Sequence, residues 1–225
     1  MTKSIAALLI LIASCAHAGT PASGAAPKSA KKGTSEQVRV MTKFQGVFAK
    51  TKSFKAAFTQ SVFSKIMETT DSSTGTIYVS RPDKFRWESK TEGFTQIING
   101  KKLWHVQPEA KRGKTLVTIY NDFTQKADPQ FLQFITGKLK IKDHYTWKLL
   151  KNEKDSLTVK LTPKKKGSEP YIAEIDKKRY FLASLSYETA DTKTKVSFNE
   201  LQLDVPLEDK LFEYKVNSDD IVQKQ

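Results

Sequence analysis

Residues 75–87 read GTIYVSRPDKFRW, and the spacing of their apolar side chains decides the fold. Ile77 and Val79 alternate with Thr76, Tyr78 and Ser80, the period of two that an extended strand imposes on its faces. Arg81 falls on the face of Ile77 and Val79. Pro82 cannot donate to a sheet ladder and marks the strand's end, after which Phe85 and Trp87 resume the same face. A guanidinium among such neighbours is costly unless its donors find acceptors.

The period holds on both sides of this stretch. Upstream, Phe54, Ala56, Phe58 and Val62 alternate with Lys55, Thr59 and Ser61, as in a half-buried strand. Before them, Val40, Phe44, Val47 and Phe48 fall at i, i+4, i+7 and i+8, which predicts an amphipathic helix over 36–52. Downstream, short strands are predicted at 76–80, 84–90, 94–98, 102–106 and 115–120, with Asn99-Gly100 as a two-residue hairpin turn. A second set is predicted at 146–151, 156–162, 171–176, 182–189 and 194–203. Strands so closely spaced form an antiparallel sheet large enough to curl into a sandwich or barrel. One interruption is helical: Asp128 caps, Pro129 opens, Gly137 closes, and Phe131, Leu132, Phe134 and Ile135 lie between. A helix that apolar must pack on something apolar, so the expected fold is mainly β with α, a curved sheet under a helical lid.

The ends place the chain. Lys3, the apolar run Ile5–Ala13 and Ala16-His17-Ala18 fit a signal peptide over residues 1–18, and the run is too short to span a bilayer. A second reading lies in the same segment: Ile12-Ala13-Ser14-Cys15 resembles a lipobox whose cysteine is lipidated. Residues 19–35 read as a flexible linker, leaving 36–225 as a single domain. Cys15 is the only cysteine, so a product cut after Ala18 holds together without disulfides and carries no thiol. The 38 Lys+Arg against 24 Asp+Glu give a net charge of +14. Nucleic acid is an unsuitable partner for an exported chain; an anionic membrane surface suits better, and a solvated lysine-rich surface better still.

Catalytic and cofactor motifs are missing. Neither His105 nor His144 has a partner at metal-ligand spacing, and no HExxH, GxSxG or GxxxxGK[ST] pattern occurs. His105, alternating with Trp104 and Val106, is expected to face solvent. Asp83 and Glu88 read as solvated carboxylates. The expectation is a monomeric binding protein with no metal and no cofactor.

Five segments carry a family resemblance. Phe54–Gln60 resembles an FxxxFxQ strand, residues 75–87 an RPxxFRW signature, and Asn99–Trp104 a GKxLW hairpin. Leu161–Lys164 resembles an LTPK strand end, and Leu211–Tyr214 a terminal FxF-like strand. In this order they resemble LolA, the outer-membrane lipoprotein carrier family of Gram-negative bacteria. Lys215-Val216-Asn217 stands where that family often has a proline-rich turn.

The resemblance implies an unclosed antiparallel barrel, helices lidding a hydrophobic cavity, and a periplasmic location. It implies lipoprotein acyl chains as cargo, received from an inner-membrane ABC transporter and handed to an outer-membrane acceptor. Arg81 is then similar to a latch that bonds the lid helices in the empty form. The candidate cavity residues are Phe58, Ile77, Val79, Phe85, Trp87, Ile98, Trp104, Phe131 and Phe134. On pattern alone Ile77, Val79, Trp87 and Trp104 fit an ordinary core equally well, Phe85 fits a contact at a cavity mouth, and Arg81 fits a surface residue beside a proline. Three rival functions use the same residue types: a lipidated acceptor resembling LolB, a binder of small free lipids, and a structural envelope domain.

Overall fold

The computed structural model describes residues 34–109, 113–121, 130–165 and 167–225. The expected signal peptide, nearly all of the expected linker and the cap at Asp128-Pro129 lie outside the described residues. A long helix α1 (Ser35–Lys50) is followed by β1 (Ser53–Ser64), β2 (Thr69–Ser80), β3 (Lys84–Ser89), β4 (Thr95–Asn99), β5 (Leu103–Glu109) and β6 (Lys114–Tyr120). Two short helices, α2 (Gln130–Ile135) and α3 (Ile141–His144), separate these from β7 (Tyr145–Asn152), β8 (Ser156–Pro163), β9 (Tyr171–Asp176), β10 (Phe181–Glu188) and β11 (Thr192–Leu203). A 3-10 helix (Asp209–Phe212) and β12 (Ile221–Lys224) end the chain. Thr34 and Ser35, expected as linker, belong to the helix start: the Thr34 N–H donates to Gln37 Oε1 at 2.8 Å.

Among the described residues all strands join one 12-stranded sheet, in the order β12-β6-β5-β4-β3-β2-β1-β11-β10-β9-β8-β7. Its ends, β12 and β7, do not pair, so the sheet is an unclosed half-barrel. Each pairing is antiparallel except the last, where β12 runs parallel to β6. Register shifts at Lys55/Ala57, Leu149/Lys151 and Leu182/Ser184 add bends, because a residue without a partner kinks its strand.

Parity assigns the two faces. Phe54, Ala56 and Phe58 of β1 lie beside Val79, Ile77 and Gly75 of β2, and all of these residues are buried on the inner face. Val40, Met41, Phe44 and Phe48 of α1 and Phe131, Leu132, Phe134 and Ile135 of α2 join the same core. The helices therefore cover the inner face. Gly75 permits a close approach there: a Cβ at this position would collide with the Glu88 carbonyl oxygen and lie 2.6 Å from the Phe58 ring, which itself stacks on Trp87 at 3.6 Å.

The outer face of β2–β6 has a core of its own. Ile97, Trp104, Val117, Ile119 and Phe212 are buried together, with Tyr78, Val106, Leu207, Leu211 and Tyr214 packed on them. The segment after β11 is strapped across this face. Lys84 Nζ lies 2.6 Å from Asp209 Oδ1, and Arg86 Nη1 donates to the Leu211 carbonyl at 3.1 Å.

Five expectations change. Trp104 does not line the inner wall: it pairs with Ile97 and packs outward under Phe212. His105 is buried rather than solvent-facing, because the odd-numbered positions of β5 point inward. Residues 211–214 form no strand, since Leu211 and Phe212 belong to the 3-10 helix and the last strand comes later. β2 begins at Thr69, seven residues before the predicted start, with Thr69–Thr74 held by pairing to Thr59–Ser64. The β4–β5 turn shifts by one residue: Asn99 N–H donates to the Lys102 carbonyl, and Asn99 Oδ1 accepts from the Lys101 and Lys102 N–H groups.

Candidate functional site

The lidded inner wall is the candidate site, and it forms two rows. The row nearer Arg81 reads Phe54–Val79–Phe85–Ile98–Leu103–Tyr120 across β1 to β6. The next reads Ala56–Ile77–Trp87–Gln96–His105–Thr118 and turns polar over its last three strands. On the other half of the sheet the wall is aromatic. Phe134 packs on Tyr171 at 5.2 Å and edge-on to Tyr145 at 5.6 Å, and Phe131 lies 6.1 Å from Tyr187. Phe48 bridges the lid helices, 5.4 Å from Phe134 and 5.4 Å from Phe181.

Arg81 stands where the two lid helices end. Its Nη1 donates to the Phe48 carbonyl and, at 3.2 Å, to the Thr51 carbonyl. Its Nη2 donates to the Ile135 carbonyl at 3.2 Å. These oxygens belong to the C-terminal turns of α1 and α2, where intrahelical donors run out and the helix dipole favours a cation. The guanidinium also lies over the Phe48 ring, its Cζ 4.2 Å from the centroid, a cation–π arrangement. Burial pulls the Arg81 pKa down to about 10, with nearby Asp204 acting the other way. The group is charged at neutral pH, and its charge-assisted bonds to the lid contribute roughly 1.5–3 kcal/mol each.

His105 is a neutral member of the polar patch. Its Nε2 lies 3.2 Å from Gln107 Oε1 and its Nδ1 3.4 Å from Gln96 Nε2. A carbonyl oxygen only accepts, so these contacts place the proton on Nε2 and leave Nδ1 as acceptor. Burial pushes the His105 pKa down, and the Gln107 bond opposes that shift. Among the described residues no group of three or more His, Cys, Asp or Glu is placed to hold a metal ion.

Of the nine aliphatic and aromatic residues singled out above, Phe58, Ile77, Val79, Phe85, Trp87, Ile98, Phe131 and Phe134 come together in the inner core, and Trp104 does not. Sequence reasoning passed over Phe48, Tyr145, Tyr171, Tyr187 and Gln60. Phe48 carried a signal, standing last in the apolar stripe of α1. Gln60 carried one too, because it shares the parity of Phe58.

A family model described as "Outer membrane lipoprotein carrier protein LolA" matches residues 49–215. An outer-membrane lipoprotein carrier protein of Coxiella burnetii is 24% identical over 195 residues, covering 85% of this chain and 90% of that protein. One from Dechloromonas aromatica is 39% identical over 64 residues, covering 28% of this chain and only 30% of that protein. Among solved structures, a LolA superfamily protein from Nitrosomonas europaea is 12% identical with a TM-score of 0.41, covering 79% of this chain and 97% of that one.

Proposed function

This chain belongs to the LolA family of outer-membrane lipoprotein carrier proteins, and on that premise we propose that it shields lipoprotein acyl chains against its inner wall while they cross the periplasm. Cargo would come from an inner-membrane ABC transporter and pass to an outer-membrane acceptor. Each buried methylene is worth roughly 0.8 kcal/mol, so cargo leaves a bilayer only for a comparably apolar place. The sequence has no nucleotide-binding loop, so a partner must supply the energy of loading. The protein acts as a binding protein, not as an enzyme.

One observation carries this reading: a charged arginine ties the ends of both lid helices over an apolar wall. Chains that enter under the lid must separate α1 from α2, which breaks the Arg81 bonds. Those bonds therefore favour the closed, empty form and promote release. A ligand shifts such a two-state equilibrium only by its differential affinity, so the latch sets how tightly cargo is held.

The test is native-state binding of an anilinonaphthalene dye. Saturable binding that a triacylated lipopeptide displaces is the expected result. No binding by the folded protein would mean a wall that never opens, and would end the carrier reading.

A further inference from the structure

Gln60 is an inner-wall side chain whose amide the carrier reading leaves unused. It is 2% exposed and shares the inner parity of Phe54, Ala56 and Phe58. Its neighbours across the sheet are Ser73 on one side and Val196 on the other. Ser73 Oγ donates to Gln60 Oε1 at 3.2 Å, which orients the amide. Gln60 Nε2 is buried and has no hydrogen-bond partner among the described residues. A buried amide without an acceptor is disfavoured, and native structures rarely leave one.

We infer that Gln60, oriented by Ser73, donates a hydrogen bond to the carbonyl that joins an acyl chain to its headgroup. The inference rests on the carrier reading and adds to it a chemical preference and a direction. A neutral acceptor suits the place: Ser73 and Val196 flank the amide with no cation, so an unpaired carboxylate would carry the full desolvation cost. Direction follows from the strand. Arg81 lies at the start of β1, its N–H donating to the Lys52 carbonyl. Gln60 lies toward the other end, beyond which Val62, Phe63 and Ser64 are only half-buried and Ile66 and Met67 are exposed. From Phe54 to Gln60 the strand runs about 20 Å, a span that takes an extended chain. The acyl tail thus points at Arg81, its carbonyl stops at Gln60, and the headgroup leaves by the β1–β2 hairpin.

A pair of synthetic lipopeptides tests this, one carrying two palmitoyl esters and the other the matching ethers, which lack the carbonyls. Dye displacement from the purified protein should favour the ester form roughly five- to tenfold, as one hydrogen bond does. Gln60→Met, which keeps shape and removes the amide, should bind both forms alike while its unfolding midpoint holds or rises. Gln60→Leu serves in the same way if methionine perturbs the wall. Equal binding of the two forms by the unaltered protein, or a preference that survives in Gln60→Met, would overturn the inference and leave the carrier reading intact. Binding of neither form would remove the carrier reading, and this inference with it.

Discussion

Gly137 lies directly beneath the Arg81 guanidinium: a Cβ built on it would fall 2.9 Å from both Cζ and Nε. Gly137 also adopts φ +74°, which L side chains accept only with strain. The residue that ends α2 thereby admits the cation that bonds the helix's last carbonyl. Gly137→Ala should push the guanidinium off Ile135 and strain the backbone, costing about 1–3 kcal/mol in equilibrium denaturation. Its native state should also take up anilinonaphthalene more readily. An unchanged midpoint with unchanged dye uptake would show that the close approach has no energetic weight.

The outer core should be separable from the inner wall. Phe212, carried by the C-terminal strap, is fully buried in the cluster with Trp104 and Ile97. Phe212→Ala should destabilise the fold by about 3–5 kcal/mol, as large-to-small changes in packed cores do. Lipopeptide affinity measured well below the unfolding transition should stay within a few-fold of the original. A selective loss of lipid binding would mean that the strap serves the inner wall.

His105 should leave a mark on the pH dependence of stability. Burial lowers its pKa below the ordinary 6.5, so the folded state resists a proton that the unfolded chain accepts. Where the unfolded state binds more protons, stability rises with pH. The contribution is complete above pH 6.5 and is lost as the pH falls below it. His105→Gln should flatten the unfolding free energy below that pH relative to the unaltered protein. Parallel curves for the two proteins would refute a neutral, buried imidazole.

The strands around residues 75–87 were legible because only their inner face is densely apolar: Ile77 and Val79 are buried, while Thr76, Tyr78 and Ser80 remain partly exposed. Parity failed farther along, where the strap covers the outer face. Ile97 and Ile98 are both buried, as are Leu103 and Trp104, so hydrophobicity no longer tells one face from the other. Trp104 and His105 were consequently assigned in reverse. Thr69–Thr74 escaped because that polar run is a strand only through its pairing with β1. Leu211-Phe212 is too short an apolar run to distinguish a helical turn from a strand. Arg81 was visible as a cation in an apolar row, and its acceptors on α1 and α2 follow from the shortage of donors at helix ends.

The most direct measurement is a two-step transfer assay with Arg81→Leu. The substitution removes the bonds to the Phe48, Thr51 and Ile135 carbonyls and adds apolar surface, so the loaded form gains on the empty one. The variant should take lipoprotein from inner membranes as well as the unaltered protein does. It should then retain the cargo when outer membranes bearing the acceptor are added, with transfer reduced at least tenfold. Normal loading followed by normal transfer would contradict the claim that closure of the Arg81 latch drives release.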